Sequence, residues 1–154
     1  MLLERASRVF KEQRIESYTT DVLLTRVSML LRQTYVLVGF QTPDENDLAI
    51  ITAKLTSDLF ESYRYLTCGE VSLCFELGAK GEYGEFMGLN MRTFTRWLKA
   101  YKTSDFRYCL VVDREQKRQA ALPPVSEAYN REREEQMLQN AFRHYRAGYP
   151  IDQL

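Results

Sequence analysis

Three stretches of this chain carry the pattern of a capped helix start followed by a helical apolar stripe, and they commit its centre to α-structure. Thr42-Pro43-Asp44-Glu45 places Thr at the N-cap, Pro at the first helical position and Glu three residues on. The Thr hydroxyl and the Glu carboxylate then satisfy each other's free backbone N–H groups. Leu48, Ile51, Leu55 and Leu59 follow at helical spacing, which predicts a helix to about Tyr63 with one buried stripe. Thr67-Cys68-Gly69-Glu70 repeats the capping logic ahead of Val71, Cys74, Phe75 and Leu77, and Gly78 reads as the stop. Asn90 caps a third helix running through Tyr101. The expected core is Leu55, Leu59, Val71, Phe75, Phe94, Trp97 and Leu98.

The flanks follow the same period less cleanly. Residues 2–16 carry Leu2, Leu3, Ala6, Val9 and Phe10, and 21–33 carry Val22, Leu23, Val27, Leu30 and Leu31, which predicts a helical N-terminal arm over 1–40. Ser104 or Asp105 can cap a helix over 106–119, and Ser126 a long last one ending at Gly148-Tyr149-Pro150. Two short runs, Tyr35-Val36-Leu37-Val38 and Tyr108-Cys109-Leu110-Val111-Val112, also suit strands. Apolar period alone does not decide between the two, so a short β-hairpin stays open. Leu122-Pro123-Pro124 is the one clear linker. The expectation is a mainly α, compact multi-helix domain spanning 1–154.

Composition narrows the function classes. At 154 residues the chain suits one domain better than two. Lys plus Arg is 21 and Asp plus Glu is 21, so the formal charge is zero and bulk electrostatic coating of nucleic acid is excluded, though a local basic face is not. No run reaches the length of a membrane span, and the charged start MLLERASRVFKEQR is unlike a secretory signal, so a cytoplasmic setting without membrane contact is expected. Cys68, Cys74 and Cys109 are odd in number and widely spaced, and His144 is the one histidine, which supports neither a disulfide framework nor a metal site. No cofactor motif is present.

Four of the seven glycines fall within Gly78–Gly88. Neither a Walker loop nor a dinucleotide fingerprint fits, because no Gly-Lys-Ser/Thr follows and no strand precedes. Gly78-Ala79-Lys80-Gly81 spells the GxxG of a KH clamp, but the flanking strands of that domain are missing. A better account sets Gly88 in a tight turn between two helices. Tyr83 and Met87 are then apolar on the first helix, with the small Gly84 at the crossing. Leu89 plugs the turn, and Phe94 and Trp97 face inward from the second helix. That order resembles the helix-turn-helix of DNA-binding proteins, and Gly88-Leu89-Asn90…Phe94…Arg96-Trp97-Leu98 is similar to the version in transposases and phage regulators. Gly81 and Gly84 weaken the first helix by about 1 kcal/mol each against Ala.

The helix after the turn sorts its charges. Arg92, Arg96 and Lys99 share one face with Lys102 beside it, and no acid interrupts from Met91 to Ser104. The candidate nucleic-acid-binding residues are Lys80, Asn90, Arg92, Thr93, Arg96, Lys99 and Lys102, with double-stranded DNA as the partner. The bland reading of the same pattern is a solvated amphipathic helix.

A broader resemblance covers residues 42–102. Leu66-Thr67…Glu70-Val71-Ser72-Leu73-Cys74-Phe75, then Gly81-Glu82-Tyr83-Gly84-Glu85-Phe86, then Trp97-Leu98-Lys99-Ala100-Tyr101 resemble small helical proteins of bacterial prophages and conjugative elements. The resemblance implies a non-enzymatic accessory protein of a phage or mobile element, acting in replication or regulation, and carries over no catalytic residue. Zero net charge and the apolar-free segment Asn130–Gln136 support an alternative: an adaptor that binds a protein such as a replicative helicase or its loader, without touching DNA. One enzyme pattern appears. Asp105, Glu115 and Lys117 spell the D-x9-E-x-K of restriction-type nucleases, but that core needs strands and the chain is mostly helical.

Overall fold

The capping box at Thr67 starts the helix on which the N-terminal part of the fold is built. In the computed structural model, which describes residues 1–121 and 127–147, the Thr67 hydroxyl oxygen accepts the Glu70 amide at 3.0 Å and the Glu70 carboxylate accepts the Thr67 amide at 2.9 Å. Among the described residues the elements are α1 (Leu2–Phe10), a 3-10 turn (Ile15–Ser17), α2 (Thr20–Val38), α3 (Glu45–Ser62), α4 (Cys68–Ala79), α5 (Met91–Lys102), α6 (Asp105–Ala121) and α7 (Glu127–Arg146). No strand occurs among them, and no helix is long and apolar enough to cross a membrane. The chain divides into two compact units, Met1–Arg114 and Glu115–Leu154.

In the first unit α4 is the hub. It packs against α1, α2 and α5, and α2 packs in turn on α3. Glu70, Val71, Leu73, Cys74, Phe75, Leu77 and Gly78 of α4 are all buried, as befits a helix apolar around nearly its whole circumference. Every residue of the expected core is at most 2% exposed. Phe75 and Phe94 stack at 5.2 Å between ring centroids, and Trp97 meets both edge-on.

Several expectations change. The cap of α3 is Asp44, which accepts the Asp47 amide at 2.9 Å, two residues beyond Thr42. A carboxylate satisfies that free donor directly, and the helix starts after the proline rather than on it. Both strand-like runs are helical. Tyr35–Val38 closes α2, which ends where Gly39 turns left-handed at φ 76°, and the Tyr35 hydroxyl donates to the Leu89 carbonyl at 2.9 Å. Tyr108–Val112 lies inside α6. The N-terminal segment is helical as α1 and α2 and packs on the rest of its unit. α1 stops at Phe10, and the Ile15 and Glu16 amides donate to the Leu66 and Arg64 carbonyls. Ala6 and Ile15 are fully buried.

Gly78 is the last residue but one of α4, within a residue of the expected stop, but ending the helix is not its main role. A Cβ there would fall 2.6 Å from Cε3 of Trp97. The residue is small because α5 presses an indole onto that spot, a close backbone approach that only glycine permits.

A buried ion pair fastens the start of α6. The Arg107 Nε donates to the Glu70 carboxylate at 3.1 Å, and the Tyr101 hydroxyl donates to the same oxygen at 3.4 Å. The Arg107 guanidinium also lies over the rings of Tyr65 and Phe10. In the second unit, α7 carries charged residues along its first half and exposed Met137, Leu138 and Phe142 along its second. The expected Ser126 cap, the Leu122-Pro123-Pro124 linker and the stop at Gly148-Tyr149-Pro150 lie outside the described residues.

Candidate nucleic-acid interface

The segment that precedes α5 does not form the first helix of a helix-turn-helix. Gly81 and Gly84 take φ of 84° and 87°, left-handed values no helix contains. Their turns close on hydrogen bonds from Gly81 N to Gly78 O at 2.9 Å and from Gly84 N to Gly81 O at 3.0 Å. The connection from Lys80 to Asn90 is therefore an irregular loop, much longer than the three- to four-residue turn of that motif. The small residue at the helix crossing is Gly78, not Gly84, which faces open space. Leu89 is buried as expected, and Phe86 packs edge-on against Trp97 at 5.1 Å and against Phe40 at 6.2 Å.

This loop and α5 distribute the candidate residues unequally. Arg92, Arg96, Lys99 and Lys102 are exposed along α5, and none of them pairs with a carboxylate among the described residues. Arg96 donates to the Glu85 backbone carbonyl at 2.7 Å, which pins the guanidinium beside the loop. The Lys102 ammonium lies 6.0 Å from the Tyr65 ring centroid. Met91, Arg92, Thr95, Arg96 and Lys99 line a shallow surface depression of about 470 Å³. A second, of about 570 Å³, runs over Glu85, Phe86, Met87, Gly88, Arg92 and Arg96.

The other three residues are occupied. Asn90 uses its side-chain oxygen to accept the Thr93 amide at 3.2 Å, which commits that oxygen to the cap. Thr93 is buried and its hydroxyl donates to the Gly88 carbonyl at 2.6 Å, a lock on the turn rather than an outward contact. Lys80 pairs with Glu76 at 2.8 Å, one turn back along α4. What remains exposed along α5 is a row of four cations, with Arg92 in the first turn of the helix.

Sequence reasoning missed the Glu76 cluster. Arg5 and Lys80 hold the Glu76 carboxyl down to about 2 through side-chain hydrogen bonds. It also missed the buried Glu70, whose carboxyl is pushed up by burial against the pull of the Thr67 amide and Arg107. The Glu70 signal was visible as the last residue of the capping box; its burial was not. Glu115 of the nuclease-like pattern is taken up by Arg118 and Gln119 on its own helix. No group of three or more His, Cys, Asp or Glu among the described residues could hold a metal ion. Comparison with protein-family models, with curated proteins and with solved structures finds no match for this chain.

Proposed function

We propose that this chain is a non-enzymatic accessory protein that docks on the phosphate backbone of duplex DNA through the exposed face of α5. The observation that carries this is the row Arg92, Arg96, Lys99 and Lys102, solvent-facing and unpaired with any described carboxylate. Row spacing of one helical turn suits successive phosphates, and Arg and Lys displace condensed counterions there. Because Thr93 is locked in the turn and the Asn90 oxygen serves the cap, the four cations carry the contact and it runs mainly through the phosphate backbone. The resemblance to prophage and conjugative-element proteins gives this docking a setting in replication or regulation.

The test is a fluorescence anisotropy titration of labelled duplexes across a salt series. Four phosphate contacts give a log–log slope of about −3.6. Arg92→Ala, Arg96→Ala and Lys99→Ala should each weaken binding on every sequence and reduce the slope by about 1. Absence of binding at low salt, or a slope unmoved by these changes, would overturn the proposal.

One observation favours the adaptor reading. Met87 is fully exposed beside Arg92 and Arg96, and Phe40 is 40% exposed against Phe86. Apolar side chains standing proud next to cations suit a protein surface such as a helicase or its loader. Under that reading Met87→Glu abolishes capture of the partner while DNA binding is absent throughout.

A further inference from the structure

The loop between α4 and α5 holds one apolar side chain out in solvent and pins the backbone on either side of it. Met87 is fully exposed, more so than any other large apolar residue among those described. Its neighbours are anchored. On one side, Arg96 donates to the Glu85 carbonyl at 2.7 Å and the Phe86 ring packs edge-on against Trp97. On the other, the Thr93 hydroxyl donates to the Gly88 carbonyl at 2.6 Å, Leu89 is buried, and the Tyr35 hydroxyl donates to the Leu89 carbonyl at 2.9 Å. Side chains of α2 and α5 thus hold the residues flanking Met87, so its place in solvent is set by the fold and not by slack in the loop. The charges beside it are Arg92 and Arg96, which line the same depression, and Glu85, the one acid in it. Glu82, also exposed, is the other acid of the loop.

We infer that Met87 is a wedge that enters a base step of duplex DNA from the minor groove while Arg92 and Arg96 hold phosphates beside it. It rests on the docking of α5 proposed above and adds how the duplex responds, which is by kinking. Two features choose this occupant. An apolar side chain next to two cations matches what a duplex offers at fixed spacing, an apolar base stack bounded by phosphates. The projection is also a single side chain at a loop tip, and the minor groove, about 6 Å wide, admits a side chain where it excludes a helix. Wedges of this kind unstack one step and sense its deformability, which agrees with the Asn90 oxygen and Thr93 being taken up inside the chain. Arg96 spends one donor on the Glu85 carbonyl and keeps the rest of its fork for a phosphate. Glu85 opposes the phosphates, so Glu85→Gln should tighten binding and leave the kink in place.

The test uses the full chain at low salt and a short duplex with one flexible TA step at its centre, dyes at both ends and 2-aminopurine at that step. Binding of the native chain should raise energy transfer between the dyes, reporting a bend of about 20–90°, and should raise 2-aminopurine emission as the step unstacks. A duplex with a central mismatch, which costs less to unstack, should bind more tightly than the matched one. Met87→Ala should still bind with an unchanged salt slope but lose the bend, the emission rise and the mismatch preference, while Met87→Leu should keep all three. The side chain packs on nothing, so these variants fold, and far-UV circular dichroism with unchanged Trp97 emission checks that they do. Binding without a bend or an emission rise overturns the wedge and leaves phosphate docking standing, as does a bend that survives Met87→Ala. Absence of binding to any duplex overturns the docking reading and the wedge together, and Met87 then belongs to the adaptor surface.

Discussion

Gly78→Ala isolates the contact on which the α4–α5 packing rests. Two effects oppose each other. In a helix interior Ala is favoured over Gly by about 1 kcal/mol, so propensity alone predicts stabilisation. Against that, the new methyl would stand 2.6 Å from Cε3 of Trp97, with two further indole carbons closer still. Carbon pairs settle at about 3.5–4.0 Å, so the ring must retreat by about 1.5 Å. It has nowhere to go, being fully buried and boxed by Phe75, Phe86 and Phe94. Overpacking of this kind costs up to about 3 kcal/mol, which leaves a net loss of about 2 kcal/mol after the propensity gain. Urea denaturation followed by far-UV circular dichroism measures it. The decisive control is the same change in a Trp97→Leu background, where the overlap is gone and the added methyl should cost little or help. A Gly78→Ala variant as stable as the native chain, or a penalty that persists unchanged without the indole, would refute the reasoning.

Arg107→Ala should destabilise by about 3–5 kcal/mol, because it strands the Glu70 carboxylate in the interior; Arg107→Lys, which keeps the charge, should recover part of that in the same denaturation assay. Glu76, held down to about 2 by Arg5 and Lys80, contributes stability that is present above its ordinary carboxylate range and is lost as pH falls toward 2. Urea midpoints should therefore drop between about pH 5 and pH 2.5, and Glu76→Gln should flatten that drop. Thiol labelling should proceed at exposed Cys109 first and at half-buried Cys68 slowly, since burial pushes its thiol up. Cys74 should react only at the rate of unfolding, being wholly buried with its thiol pushed up by desolvation.

The basic row of α5 was legible because it depends on local sequence alone: Asn90 caps, Phe94, Trp97, Leu98 and Tyr101 turn inward, and the cations are left on the other side. What the row could do with Asn90 and Thr93 was not legible. A side chain that can cap a helix or lock a turn gains a hydrogen bond locally before any partner arrives, and only the folded loop shows that Thr93 reaches the Gly88 carbonyl.

By itself the sequence determined the helices and the inward faces, because capping and period are short-range: the capping box at Thr67, the Asn90 cap and the seven core residues stand where the pattern put them. Tertiary structure decided which glycine means what. Gly78 and Gly84 are chemically identical, yet one is required by an indole arriving from α5 and the other by a left-handed turn facing solvent. It decided equally that Tyr35–Val38 and Tyr108–Val112 are helix, since an apolar run takes its conformation from the surfaces it is packed against. The fate of Glu70 belongs to the same class. A capping glutamate is exposed in an isolated helix, and it is buried here because Tyr101 and Arg107, far along the chain, close over it and supply the partners that make burial tolerable.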